Sequence, residues 1–255
     1  MRAVLMANGT SSQSLAALAF RAGPVTSAGA ILWVHGDNIA RHSENYVKAP
    51  PTISHALLDP AIADPFAWAM IVSAVFLSFA IVQVVSTLYR IVAATARGRV
   101  GNLLLLAVIT LCEAVAVAGM IVLSQYTGNI DSHLHDVGSY MLFFGHAFGI
   151  GLSGVLIRRL LASAPGSDAL MQLRRNPRNA LAIALLSALY GVIYFGGKLL
   201  PDEYFFWQRA LLSGTEVVVI LSFLAYLSSF WPMVRMSRQA AGAARATAAA
   251  ARAEG

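Results

Sequence analysis

The sequence predicts an all-α integral membrane protein: a six-helix transmembrane bundle, five strong spans plus a weaker first one, with both termini cytoplasmic. Three observations carry this. Of 255 residues, 58% are apolar and only 12% are charged, against roughly 25% charged in an ordinary soluble domain. The mean hydropathy is +0.67. The apolar residues also gather in runs that match a hydrocarbon core about 30 Å thick, which takes about 20 residues of helix. With 18 basic and 12 acidic residues, the chain lacks the polar surface of a soluble enzyme, a disordered protein or a coiled coil. The single cysteine, Cys112, excludes an intrachain disulfide and a cysteine-rich metal site.

The five strong runs are 67–89, 103–124, 137–161, 181–200 and 210–231. Asp64-Pro65 precedes the first as a cap and first-turn proline, and Asn176-Pro177 precedes the fourth in the same way. Gly101-Asn102 precedes the second, and Pro232 closes the fifth. The weaker span, 14–34, contains Arg21 and Pro24. Its apolar stretch sits too late, behind too thin a basic region, for a cleavable signal peptide. Residues 1–238 therefore form one transmembrane domain. Residues 239–255 form an Ala/Arg-rich tail, either a surface-lying helix or disordered.

Loop charge sets the orientation. Arg90, Arg97 and Arg99 lie between the first two strong runs, Arg158, Arg159, Arg174, Arg175 and Arg178 against Asp168 between the third and fourth, and Arg235, Arg238, Arg245 and Arg252 against Glu254 in the tail. The other side carries Asp37, Glu44, Asp59, Asp64, Asp131, Asp136, Asp202 and Glu203, against Arg41 and Lys48. Lys/Arg excess marks the cytoplasmic side, so the basic loops and tail lie inside. The formal charge of +6 is then a topology signal, and no nucleic-acid partner is expected.

Ionisable residues within spans are costly and mark candidate sites. Glu113, His146 and Glu216 are three such residues. Counted at 1.5 Å per residue, they lie about 16, 14 and 9 Å below the outer boundary. Packing could gather them in one polar pocket that opens outward, or His146 could simply satisfy one carboxyl and pin the bundle. Lys198 sits near the outer end of its run, as a snorkelling residue does. The outer loops add His35, His42, His55, His133 and His135. Asp131, His133 and His135 alternate, so an extended loop would point all three one way. Their types suit zinc, but the spacing matches no metal signature, and no metal is assigned. Nor is a cofactor expected: only His146 among the histidines lies within a span, whereas a membrane haem of the b type needs two. No GxSxG, HExxH or P-loop pattern occurs.

The outer-loop Pro51-Thr52-Ile53-Ser54, the mid-span Glu113, His133, Gly145-His146, and Glu216 with Trp231 together resemble the Frag/DRAM/Sfk family. The nearest branches are the Frag-type GPI-anchor lipid-remodelling factors and the N-terminal part of the fungal CWH cell-wall protein. The resemblance spans about Ser14 to Trp231. It implies six membrane helices and the handling of membrane lipids: binding, organisation or lipid-anchor remodelling. The Ala- and Arg-rich composition points to a GC-rich bacterial genome and hence the plasma (inner) membrane, where GPI anchors would not exist.

On this reading the partner is a membrane lipid. Pro51, Thr52, Ser54, His55 and Lys198 contact the headgroup, and His133, Glu113, His146 and Glu216 supply any chemistry. That chemistry would be acyl transfer or ester hydrolysis, with His146 or His133 as general base. Two other classes stay open: a non-enzymatic scaffold that binds a membrane-protein partner, and a proton- or ion-coupled carrier using Glu113 and Glu216.

Overall fold

The computed structural model describes residues 2–44, 50–96, 98–164, 166–197, 199, 201 and 204–254. Among these the chain is helical, without strands. In order the helices are α1 (Arg2–Arg41), α2 (Ile53–Ala56), α3 (Pro60–Ala94), α4 (Arg99–Gln125), α5 (Ser132–Ser163), α6 (Asp168–Met171), α7 (Asn176–Gly197), α8 (Phe205–Ser228) and α9 (Trp231–Glu254). Five helical stretches are long and apolar enough to cross a membrane: Pro60–Ala94, Arg99–Gln125, Ser132–Ser163, Asp168–Gly197 and Phe205–Arg252. They contain the five strong runs as far as Gly197, because Lys198 and Leu200 lie outside the described residues. The weaker span falls within α1, which runs well past it at both ends and is not among the five. Arg2, Arg21, Asp37 and Arg41 and a large share of Ala, Gly and Ser dilute its apolarity.

Several boundaries differ from the sequence reading for local reasons. The cap of α3 is Asp59, whose side chain accepts from the Ala61 N–H, with Pro60 in the first turn. Asp64-Pro65 does not start the helix, and Pro65 lies inside it. Two Asp-Pro pairs stand five residues apart, and the earlier one satisfies the free amides first. α4 starts at Arg99, behind Gly98 in the left-handed region at φ 68°, rather than after Asn102. α5 starts at Ser132 because Asp131 accepts from the Leu134 N–H. His133 and His135 therefore sit in a helix, where successive side chains turn by 100°, and not in an extended loop. Asn176 does not cap α7: its amide donates to Ser229 Oγ at 2.7 Å, tying α7 to the end of α8. The Ala-rich tail continues α9 as helix to Glu254.

The bundle is apolar on its surface as well as in its core, unlike a soluble protein. Its exposed residues include Phe79, Leu104, Leu111, Leu185 and Val192, while Glu216, Ser73, Ser153 and Asn102 are buried. Two apolar cores stack along it. One, near α6, gathers Leu88, Leu156, Leu160, Leu170 and Met233. The other, near α2, gathers Ile31, Val34, Leu57, Ile62 and Phe66. Between membrane helices there is little hydrophobic drive, so backbone approach supplies the packing. α4 and α5 meet on glycines. A Cβ at Gly119 would stand 2.6 Å from the Leu142 nitrogen, and one at Gly145 2.8 Å from the Ala116 nitrogen. Gly23 of α1 likewise lies against the Leu77 backbone of α3.

α7 is the exception. Only 11% of its apolar stretch is buried, against 33–44% for the other four. Its buried residues, Asn176 and Ala180, both belong to its first turns, so it is anchored at the α6 end and stands off from the bundle beyond it.

The glycine contacts yield a signed prediction. Gly119→Ala and Gly145→Ala should each destabilise by about 1–3 kcal/mol through overpacking against backbone. Gly29→Ala, which meets nothing within 4 Å, should be neutral or stabilising by up to about 1 kcal/mol from helix propensity. Reversible unfolding in mixed micelles gives all three values.

Candidate functional site

Where α7 stands off, a cavity of about 890 Å³ opens between α5, α7, α8 and the segment leading into α2. It has two ends of different chemistry. At the α2 end it is lined by Thr52, Ser54, His135, Asp136, Arg209 and Glu216. Towards the α6 end its walls are Phe144, Ala147, Phe148, Ala184 and Ala188. Aromatic rings form the wall between: Phe143 stacks on Tyr190 at 4.7 Å, and Tyr140 meets the Tyr194 ring edge-on at 6.4 Å. On α5 the lining runs from His135 to Phe148, about 20 Å along the axis.

The polar end is held together by α8. The Ile53 N–H donates to Glu216 Oε2 at 2.8 Å, and Ser213 Oγ donates to the Pro51 carbonyl at 2.6 Å. Glu216 and Ser213 lie three residues apart on one face of α8 and grip consecutive parts of Pro51–Ile53. Both are buried, as are Pro51 and Thr52. Thr52 caps α2 by accepting from the His55 N–H. His135 donates from Nδ1 to the Tyr126 carbonyl at 2.9 Å.

A second polar pair lies deeper. His146 Nδ1 and Glu113 Oε2 are 2.9 Å apart, joining α5 to α4. Gly149 makes room for this carboxyl, since a Cβ there would collide with Glu113 Oε1. A void of about 50 Å³, roomy enough for water, is lined by His146, Glu216, His135, Ser139 and Ser27. The Ser27 hydroxyl is buried without a hydrogen-bond partner among the described residues. A further void of about 50 Å³ lies beyond, lined by Glu113, His146, Ser153 and Tyr226.

The expected site is therefore partly assembled and partly divided. Pro51, Thr52, Ser54 and Glu216 are brought together. Glu113, His146 and Glu216 do not form one cluster: His146 takes Glu113, and Glu216 takes the Ile53 amide. His133 is exposed on the first turn of α5 and does not line the cavity. Two helical steps of 100° each, about 200° in all, separate its face from that of His135, which does. His55 is exposed on the rim, where partial burial and the Arg209 charge hold its imidazole below the ordinary range. Lys198 lies outside the described residues. The loop histidines disperse: His42 pairs with Asp59 at 3.2 Å, and no three of the described His, Cys, Asp and Glu residues gather around a metal-sized point.

Arg209 is the residue that reading the sequence missed. It lies one residue before the apolar run 210–231, among the acidic residues of its side, and an arginine on the acidic side is the signal that could have found it. Its guanidinium sits 5.2 Å from the Phe205 ring centre, and it makes no ion pair with a described carboxylate.

Fold and site together define a helical protein with five stretches long and apolar enough to cross a membrane and a deep cavity, polar at one end. Compared with protein-family models, curated proteins and solved structures, the chain matches none.

The inner pair can be tested by a double-mutant cycle. A lone polar partner in a bundle interior is worse than none, so His146→Leu should destabilise more than the pair His146→Leu/Glu113→Leu. The coupling should be about 0.6–1.7 kcal/mol, the range of interhelical hydrogen bonds in membranes. Unfolding titrations of the four proteins measure it.

Proposed function

We propose that this protein handles membrane lipids, holding a lipid in the cavity beside α7 with its headgroup at the α2 end. One observation carries the reading: a cavity of about 890 Å³ that joins a charged mouth to an apolar aromatic channel, beside the least buried of the apolar helices. Ligand cavities are mostly apolar with a few placed polar groups, and this division along the helix axis matches an amphiphile. The weak packing of α7 offers a lateral way in from the bilayer. The likeness to the Frag/DRAM/Sfk family, which rests on Pro51–Ser54, Glu113, His133, Gly145-His146, and Glu216 with Trp231, favours the same reading.

The proposed topology has six spans, with α1 as the first and both ends cytoplasmic in a plasma membrane. α1 favours this because Val25, Leu32 and Trp33 are exposed on it, apolar residues suited to lipid. Arg158, Arg159, Arg174 and Arg178 lie toward the α6 end, and the α2 end carries the acidic residues, so the cavity mouth faces outward.

Two outcomes are expected. Purified protein should retain phospholipid in native mass spectrometry, and Ala188→Trp, which fills the channel, should cut retention about tenfold, a loss of about 1.4 kcal/mol. Equal retention by a well-folded Ala188→Trp protein would overturn the reading. For the topology, a cysteine replacing Asp131 should react with an impermeant thiol reagent in intact cells, and one replacing Arg174 should be shielded. The reverse pattern would place the mouth on the cytoplasmic side.

A further inference from the structure

The polar end of the cavity contains an arrangement that lipid binding alone does not require. The His135 Nδ1 hydrogen is committed to the Tyr126 carbonyl, because a carbonyl can only accept. The imidazole is thereby fixed as the tautomer with its lone pair on Nε2. The two ring nitrogens point to nearly opposite sides, so Nε2 is turned away from Tyr126. It has no partner among the described residues, yet it is not a sealed-off atom, and His135 lines both the large cavity and the small void beside it.

Ser139 follows one turn later on the same face of α5, at the spacing that makes helical side chains neighbours. Helical side chains lean towards the N-terminus, which tilts Ser139 towards His135. Its hydroxyl also differs from those of several helical neighbours. Ser78, Thr87, Thr110, Ser187, Ser222 and Ser228 each donate to the carbonyl four residues back. Ser139 makes no such bond and lines the cavity. Ser54, from the α2 segment, presents a second unbonded hydroxyl to the same space.

The level within the cavity fits an ester. Arg209 stands two turns, about 10 Å, nearer the mouth than Glu216 on α8. Phe144, Ala147 and Phe148 begin just over one turn beyond Ser139 on α5. His135 and Ser139 thus lie between a mouth that holds Arg209 as its cation, beside the carboxyls of Asp136 and Glu216, and an apolar channel, where a glycerophospholipid has its acyl esters.

Resting on the lipid reading above, we propose that Ser139 and His135 are a nucleophile–base pair that cleaves an acyl ester of a glycerophospholipid, whose phosphate rests at Arg209. His135 Nε2 accepts the Ser139 hydroxyl proton as Oγ bonds to the ester carbonyl carbon. The carbonyl oxygen takes the negative charge, with the Ser54 hydroxyl as hydrogen-bond donor. The intermediate collapses, the bond to the glycerol oxygen breaks, and that oxygen leaves as an alcohol with the proton from Nε2. Water then attacks the acyl-serine, giving one proton to Nε2, which returns it to Ser139 as the fatty acid departs. The Tyr126 carbonyl holds the ring in place, as the third member of a serine–histidine triad does.

The test uses the full chain reconstituted in vesicles of equal parts phosphatidylethanolamine and phosphatidylglycerol. The wild type should release fatty acid and lysophospholipid in equal amounts. A fluorophosphonate probe should modify it at Ser139, located by peptide mass spectrometry. Ser139→Ala should abolish both. His135→Asn keeps a donor for the Tyr126 carbonyl and removes the base, so release should fall by about a hundredfold or more. Unchanged thermal unfolding of the two variants separates this from misfolding. Wild type that retains phospholipid but neither releases fatty acid nor takes the probe would overturn the pair and leave the lipid reading standing. Wild type that retains no phospholipid would overturn the lipid reading itself. Probe attachment at Ser54, or full activity in Ser139→Ala, would also overturn the assignment.

Discussion

The grip of Glu216 on the Ile53 amide is the contact on which the α2 end depends. α2 is one turn long and cannot hold its own place, since a single helical turn costs more chain entropy than its one or two hydrogen bonds return. Three constraints fix it: the Glu216 carboxyl on Ile53, Ser213 on the Pro51 carbonyl, and Ala56 and Leu57 buried in the apolar core with Ile31, Val34 and Ile62. The carboxyl is itself buried and needs a donor there. A backbone amide is a donor that no substitution except proline removes. The same bond therefore satisfies a costly buried group, positions Thr52 and Ser54 at the cavity, and closes the bundle over its second core.

Three polar pairs in the interior each join two helices. His146 with Glu113 links α5 to α4, Ser153 with Tyr226 links α5 to α8 at 2.7 Å, and Asn176 with Ser229 links α7 to the end of α8. Each bond is individually modest in a membrane. Their worth lies in register, because a slip of one residue on any helix would strand two polar groups in an apolar interior. The glycine contacts act with them. Gly149 admits the Glu113 carboxyl, and Gly145 and Gly119 bring α4 and α5 close enough for His146 to reach it.

The membrane helices were legible in the sequence because apolar length is a property of the chain alone. Burying Glu113, His146 and Glu216 away from lipid was legible for the same reason, since any arrangement must do so. What was not legible is which group satisfies which. Depth counted along separate helices put Glu113, His146 and Glu216 near one level, but the partner of Glu216 is a backbone amide, and every residue has one. The role of His135 was hidden by Asp131, whose capping turned an apparent loop into the first turn of α5 and moved His133 off the cavity face. Arg209 was overlooked because it borders an apolar run, where a lone cation reads as a boundary. The cavity itself was invisible, because it comes from how far α7 stands from its neighbours and not from what α7 contains.

That separation has a cause in the residues. At its start α7 packs by small contacts: Gly154 against Ala180, where a Cβ on the glycine would stand 2.6 Å from the alanine methyl. Farther along, α5 presents Tyr140, Phe143 and Phe144, and α7 presents Tyr190, Tyr194 and Phe195, so ring meets ring and the axes are forced apart. Small residues of α7, Ala184, Ala188 and Gly191, face the gap that opens and cannot fill it. A leucine at each of those positions would gain buried surface and close the channel. The sequence thus leaves packing energy unused along one face of one helix, next to the cavity that joins Arg209, His135 and Ser139 to the hydrocarbon.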